Sequence, residues 1–314
     1  MKKTFIGIFL FPVFSFAQLH WYNVDSLYQP LPDGVHVYFT NDSLNGKPNK
    51  AFYLIAPLKN KQLDFTTQVG NGKRYTPSQY YEQEGQPILV VNGTFFEFAH
   101  NSNLNLVVKD ARLRAYNKQS IAGKGKDTLT YKHPLASAIG ISTKRIPDVA
   151  WTYTDSTLKF PLAVQSPVPF IKDSFPVLLK NRLYKDQFFK KWKMQTAIGG
   201  GPVLVQHGVS KITNNEEIKF SGKALFDKHP RTAMGYTSSG ELIVMVVEGR
   251  FPGKAEGADL KQLSDMLVQV GCEEALNLDG GGSTCMLVNG KQTITPSDKE
   301  GQRPVPAVFI IKHQ

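Results

Sequence analysis

Ala275–Asn289, ALNLDGGGSTCMLVN, decides how this chain is read: an apolar strand delivers one carboxylate, Asp279, into three glycines, then Ser283 and Thr284, before a second apolar strand. Gly280, Gly281 and Gly282 leave the backbone uncovered, so its N–H groups can approach an anionic or sugar ligand, with Asp279 beside them as acid, base or orienting group. The competing reading is a tight bend between strands, in which Gly supplies positive φ and Asp caps the turn. Three glycines exceed what a bend needs, which favours a site.

The flanks of this stretch set the architecture. Leu242 to Val247 is a continuous apolar run of strand length, as in a strand buried on both faces, and it ends in Glu248-Gly249-Arg250. Asp259 then opens a helix whose apolar residues Leu260, Leu263, Met266, Leu267 and Val270 share a face; Gln262 completes a capping box and Gly271 ends it. With Ala275 to Leu278 next, the order is strand, crossover helix, strand. This predicts a right-handed parallel pair with Glu248 and Asp279 at one carboxyl edge. The expected fold class is α+β: a mixed β-sheet with helices packed on it, containing a C-terminal strand-helix-strand unit with glycine-rich loops.

Earlier segments read as short strands, Val35–Phe39, Ala51–Ile55, Leu63–Val69 and Ile88–Val91, followed in one case by a helix. That helix begins at Thr76-Pro77, with Thr76 as N-cap, and runs through Tyr81 and Glu84. From Ile146 to Lys193 the chain is richer in Pro, Phe and Lys and is expected to be an insertion or cover over the sheet.

Lys2 and Lys3 precede an apolar run from Phe5 to Phe14, and Ser15-Phe16-Ala17 offers small residues for a cut before Gln18. Residues 1–17 are therefore expected to be a secretory signal peptide and 18–314 one domain, periplasmic or secreted. The run is shorter than the roughly 20 residues of a membrane span, and no later segment reads as one. Loss of Lys2 and Lys3 takes the formal charge from +11 to +9. The positive charge is dispersed and no nucleic-acid motif accompanies it, so it reads mainly as solvated surface with a bias toward anionic substrates such as phosphoglycans. The two cysteines, Cys272 and Cys285, allow one disulfide in an oxidising compartment or two separate buried thiols. The seven histidines are scattered, and no Cys-x-x-Cys or His-x-Cys cluster occurs.

Other segments can reach the same crevice. TAIGGGPVL at Thr196–Leu204 repeats the glycine run leading into a strand, with Gly200 and Gly201 as candidate ligand contacts, and Arg231-Thr232 opens the strand at Ala233. Neither glycine run has the Gly-Lys-Ser/Thr of a P-loop. Asn92-Gly93 is either a hairpin turn or a ligand contact, since an Asn amide both donates and accepts, and Phe95 and Phe96 are either core or a face for a sugar. Ser283 lacks a His partner and reads as an orienting hydroxyl, while His229 reads as structural and His207 as surface.

Together, NGTFF (Asn92–Phe96), GGGPVLVQHG (Gly199–Gly208), HPRTAMG (His229–Gly235), VVEGR (Val246–Arg250), NLDGGGST (Asn277–Thr284) and RPVPAVFII (Arg303–Ile311) resemble the phosphodiester glycosidase family in order and spacing. That family includes the uncovering enzyme, which removes N-acetylglucosamine from phosphodiester-linked mannose. The resemblance implies an exported hydrolase acting on a sugar joined through its anomeric carbon to a phosphodiester. Two positions depart from the family pattern: Thr94 stands where Gly or Ala is common, and Glu248 where Asp is common.

A sugar-1-phosphodiester already has a weakly basic leaving group, so cleavage at the sugar needs charge stabilisation more than a proton, and Arg231 and Arg250 can supply that stabilisation. Asp279 is then the expected general base or nucleophile, Glu248 its partner, and Asn92, Thr232, Ser283 and the glycine amides of both runs the substrate contacts. Attack at phosphorus, by a phosphodiesterase, and a non-catalytic glycan-binding or envelope-assembly protein are the alternatives. Chemistry without a cofactor is expected; Ca²⁺ shared by Asp279 and Glu248 is the one metal considered. The number of subunits is left open.

Overall fold

The computed structural model describes residues 18–173 and 189–314 of the 314-residue chain. The expected signal peptide lies outside the described residues, as does part of the Ile146–Lys193 segment. Three sheets dominate. The largest has eight strands in the order Tyr22–Asn23, His36–Thr40, Ala51–Pro57, Glu241–Val247, Arg231–Thr237, Cys272–Asn277, Val203–Gln206, Val209–Ser210. A seven-stranded sheet is built around Pro147–Tyr153, Ala136–Ile141 and Thr196–Gly199, and a five-stranded one around Met286–Val288, Leu89–Asn92 and Ala307–His313.

All strand pairs among the described residues are antiparallel, which corrects the expected mixed sheet and the expected parallel pair. Arg231–Thr237 inserts between Glu241–Val247 and Cys272–Asn277, with Arg231 opposite Val247 and Ala233 opposite Asn277. The flanking strands therefore run in the same direction without touching, and the helix between them crosses over the inserted strand. Glu248 and Asp279 still leave the sheet at one edge.

The unbroken apolar run 242–247 has a two-sided cause. Leu242, Val244 and Val246 enter the core shared with the other two sheets, alongside Trp151, Ile198, Met286 and Phe309. Ile243, Met245 and Val247 enter a second core with Leu260, Leu263, Met266 and Leu267 of the helix Leu260–Gln269. Each such side chain contributes about 1.5–3 kcal/mol relative to exposure. The helix is held as its sequence predicts: Asp259 Oδ1 accepts from Gln262 N at 2.8 Å, Gln262 Oε1 accepts from Asp259 N at 3.1 Å, and Gly271 at φ +88° follows its end. Thr76 and Gln79 form the same box ahead of Pro77–Gln83. The alternate burial of a pleated strand thus fastens helix and three-sheet core together.

Part of Ile146–Lys193 is not a cover. Pro147–Tyr153 pairs on both sides within the seven-stranded sheet and buries Trp151 completely, its indole N–H donating to Glu217 at 3.1 Å. Cys272 and Cys285 are both free and buried, Cys272 in the eight-stranded sheet and Cys285 in the loop just before Met286–Val288. Burial pushes the Cys285 thiol up to about 12 and the Cys272 thiol higher still, so neither is a thiolate at neutral pH.

Candidate functional site

Three segments meet at the shared edge: His229–Arg231 entering one strand, Glu248–Arg250 leaving the next, and Asp279–Ser283 leaving a third. The Gly281 amide donates to Pro230 O at 2.8 Å and the Asp279 amide to Gly93 O at 2.9 Å, so the Asp279 loop is stitched to the eight-stranded and five-stranded sheets at once. Asp279 is part-buried. Its Oδ1 accepts from the Gly280 amide at 3.0 Å, and the Ser283 hydroxyl also donates to the carboxylate. Burial outweighs these bonds and the charge of Arg303, leaving its pKa raised to about 6. A carboxyl poised there can give or take a proton near neutrality.

The glycines act differently from the sequence expectation. Gly280 and Gly281 spend their amides inside the protein. What a side chain would obstruct is the approach of two cations: a Cβ on Gly281 would lie 2.8 Å from Arg250 Nη2, and one on Gly282 would collide with the Arg303 guanidinium. The loop is a seat for two arginines. Gly281 also adopts φ +62°, which adds strain to any replacement. Arg303 binds Asp298 Oδ2 through Nε at 2.7 Å and Nη2 at 2.6 Å, and its Nη1 lies 3.5 Å from Ser283 Oγ.

Arg231 is buried, its Nε donating to Ala258 O and one Nη to Asp227 O, both at 2.9 Å, and its guanidinium lies 5.5 Å from the Phe220 ring centre. Burial, with the nearby charge of Arg250, brings its pKa down to about 10, still charged at neutral pH. Arg250 is exposed. His229 titrates below its ordinary value because it is part-buried and faces both arginines, so a neutral imidazole joins the cluster.

Four expected contacts are placed elsewhere. Asn92 and Thr232 are fully buried. Asn92 Nδ2 donates to Asp279 O at 2.6 Å, and its Oδ1 accepts from Thr232 Oγ1 at 2.8 Å and Cys285 N at 3.1 Å, so both brace the loop from behind. Gly200 and Gly201 donate their amides to Ser137 O at 3.0 Å and Asn277 O at 2.7 Å, and Gly199 to Leu106 O at 2.8 Å, which leaves that glycine run without a donor for a ligand. It is tight because a Cβ on Gly200 would strike Asn277 O. Glu248 is buried, accepting from Thr295 N at 2.8 Å with Lys50 Nζ at 3.6 Å. The charge beside Asp279 is that of Arg303, which favours its ionised form.

Arg303 is the residue that sequence reasoning passed over as part of a strand. Its signal was the separation from Asp298, which closes a short turn at Asp298–Gly301 and brings an acid to the guanidinium. Among the described residues no three His, Cys, Asp or Glu side chains cluster as metal ligands, and no helix is long and apolar enough to cross a membrane.

A β-rich scaffold thus seats one carboxyl with a pKa raised to about 6 beside the guanidinium groups of Arg250 and Arg303. By sequence comparison, the profile of the phosphodiester glycosidase family matches residues 85–312, and the chain belongs to that family. A 68-residue stretch is 35% identical to N-acetylglucosamine-1-phosphodiester alpha-N-acetylglucosaminidase of Bos taurus, covering 22% of this chain and 12% of that protein. A prophage-derived uncharacterized protein of Bacillus subtilis is 38% identical over 71 residues, covering 23% of this chain and 11% of its own length. The chain therefore aligns with only about an eighth of these relatives. The auto-inhibited catalytic domain of the zebrafish N-acetylglucosamine-1-phosphodiester alpha-N-acetylglucosaminidase superposes with a TM-score of 0.55 at 17% identity, covering 94% of this chain and 82% of that one. A hypothetical protein from Synechocystis gives 0.58 at 15% identity over 94% and 68%. These structures share the fold.

Proposed function

We propose that the protein is an exported hydrolase that splits a sugar from a sugar-1-phosphodiester. The observation that carries this reading is Asp279, with its pKa near 6, beside a glycine loop that seats Arg250 and Arg303. Arg250 and Arg303 hold the phosphate, and the buried Arg231 adds positive potential behind them. Asp279 takes a proton from water as it attacks the anomeric carbon, or attacks that carbon itself to form a glycosyl ester that water then hydrolyses, releasing the sugar and restoring the carboxylate. The carbon–oxygen bond to phosphorus breaks, and the phosphomonoester leaves as an anion that needs no proton from the enzyme. Ser283 orients the carboxylate. Glu248, held by Lys50 and Thr295, supports the loop beyond residue 293 and takes no part in proton transfer. The reaction proceeds without a metal, and residues 1–17 direct export.

The test is a panel of sugar-1-phosphodiesters and an aryl phosphodiester, hydrolysed in ¹⁸O-labelled water by the protein, Asp279→Asn and Arg250→Ala. Label in the released sugar, with turnover lost in Asp279→Asn and weakened in Arg250→Ala, supports the reading. Label in phosphate, with alcohol freed from the aryl ester, replaces it with a phosphodiesterase. Saturable binding without turnover replaces it with a glycan-binding protein.

A further inference from the structure

Ring contacts lead away from Arg231 to a separate cavity. Arg231 lies over Phe220, Phe220 meets Phe95 edge-on with ring centres 6.0 Å apart, and Lys219 Nζ lies 5.4 Å from the centre of Phe95. Beyond Phe95 the cavity, about 270 Å³, is lined by Asn105, Lys118, Pro134, Glu217 and Lys219 among others.

Its polar groups are unevenly satisfied. Glu217 is buried, and its two oxygens already accept from Ser137 N, Ser137 Oγ, Trp151 Nε1, Val203 N and Thr213 Oγ1, at 2.7–3.1 Å. It has no free lone pair directed by need toward Lys219, and among the described residues Lys219 makes no ion pair within 4.0 Å. Burial brings the Lys219 ammonium down to about 8, with Glu217 opposing part of that shift, so it remains mostly charged at neutral pH. Asn105 is fully buried; its Nδ2 donates to Gly200 O at 3.1 Å while its Oδ1 has no partner. A buried acceptor left without a donor costs about 1–3 kcal/mol, which a bound hydroxyl recovers. Lys118 stands exposed at the rim.

We propose that this cavity is a second binding site, which takes one acidic sugar residue with its anion on Lys219 and a hydroxyl donating to Asn105. Phe95 offers an apolar wall for the ring's C–H face. The volume lies at the small end of ligand pockets, which suits one ring rather than a chain of them. A uronic acid and a sugar phosphate share this chemistry. The site holds whether or not Asp279 turns over a substrate.

Calorimetric titration with glucuronate, glucose 6-phosphate and glucose tests it on the protein and on Asp279→Asn, Arg250→Ala, Lys219→Met, Lys219→Arg and Asn105→Asp, each checked for cooperative unfolding. At least one anion is expected to bind saturably and glucose to bind far more weakly; preference between the two anions identifies the source. Asp279→Asn and Arg250→Ala retain the affinity, Lys219→Met and Asn105→Asp weaken it about tenfold or more, and Lys219→Arg keeps most of it. Absence of saturable anion binding overturns the proposal. So does binding that is lost in Arg250→Ala but kept in Lys219→Met, which assigns the anion to the Asp279 cleft. Binding by the Asp279→Asn protein separates this outcome from failure of the hydrolase reading.

Discussion

Replacing Asp279 with Asn is expected to make the protein more stable at neutral pH. The carboxyl is raised from 3.8 to about 6, chiefly by burial. For an acid raised on folding, the stability it contributes is fully present below 3.8 and is lost as pH rises through about 6. At about 1.4 kcal/mol for each pH unit, that displacement corresponds to about 3 kcal/mol of destabilisation at pH 7.5. Asn resembles the protonated acid: its carbonyl oxygen can keep the Gly280 amide and Ser283 hydroxyl as donors, and only the attraction to Arg303 is forfeited. A gain of about 1–3 kcal/mol is therefore expected at pH 7.5. Urea unfolding of both proteins at pH 7.5 and pH 4 checks it, read as the shift in midpoint at constant slope. The gap should shrink at pH 4, where the wild-type carboxyl is largely protonated in the folded state. An Asn variant less stable at pH 7.5, or a gap indifferent to pH, refutes the reasoning that burial governs this group.

If the protein hydrolyses a sugar-1-phosphodiester, its kcat/KM should rise with pH through about 6 as Asp279 ionises, with Asp279→Asn lowering it by about 10²–10⁴-fold. Arg303→Ala should move that acid limb to higher pH, because the Arg303 charge favours the ionised carboxyl; a limb that stays or moves down argues against the contact. Glu217→Gln should cost about 2–5 kcal/mol in denaturant unfolding, since one oxygen of an acceptor for five donors becomes an NH₂; a loss under 1 kcal/mol would show that the network relaxes. Dialysis against EDTA should leave turnover unchanged, and a loss restored by Ca²⁺ would refute the metal-free mechanism.

The readable features were local ones. The Asp259/Gln262 and Thr76/Gln79 boxes follow from spacing alone, as does Leu63–Val69, a strand with the expected limits. His207-Gly208 turns between Val203–Gln206 and Val209–Ser210 with both φ positive, and His207 is exposed as expected. Strand direction was not local. Nothing in Leu242–Val247 or Ala275–Leu278 records that Arg231–Thr237, which precedes both in the chain, would slip between them. The polar contacts of Asn92 failed for a related reason: an amide at a strand end looks identical whether it faces a ligand or three backbone and side-chain partners from distant segments. Arg303 was hidden because its role depends on the bare backbone of Gly282, remote in sequence. Pro147–Tyr153 was misjudged because the Pro and Lys content around it masked a strand whose burial comes from pairing on both sides.

Asn92 gives the molecule an alignment pin. One amide touches the Asp279 carbonyl, a hydroxyl of the eight-stranded sheet and an amide of the loop leading into the five-stranded sheet, so the posture of the reactive carboxyl is set by how those two layers sit on each other. Gentle heating or pressure that shears one layer across the other by a fraction of an ångström would tilt Asp279 well before any strand melts. If Asp279 turns over a substrate, loss of that turnover is expected to run ahead of spectroscopic unfolding and to gauge interlayer slippage.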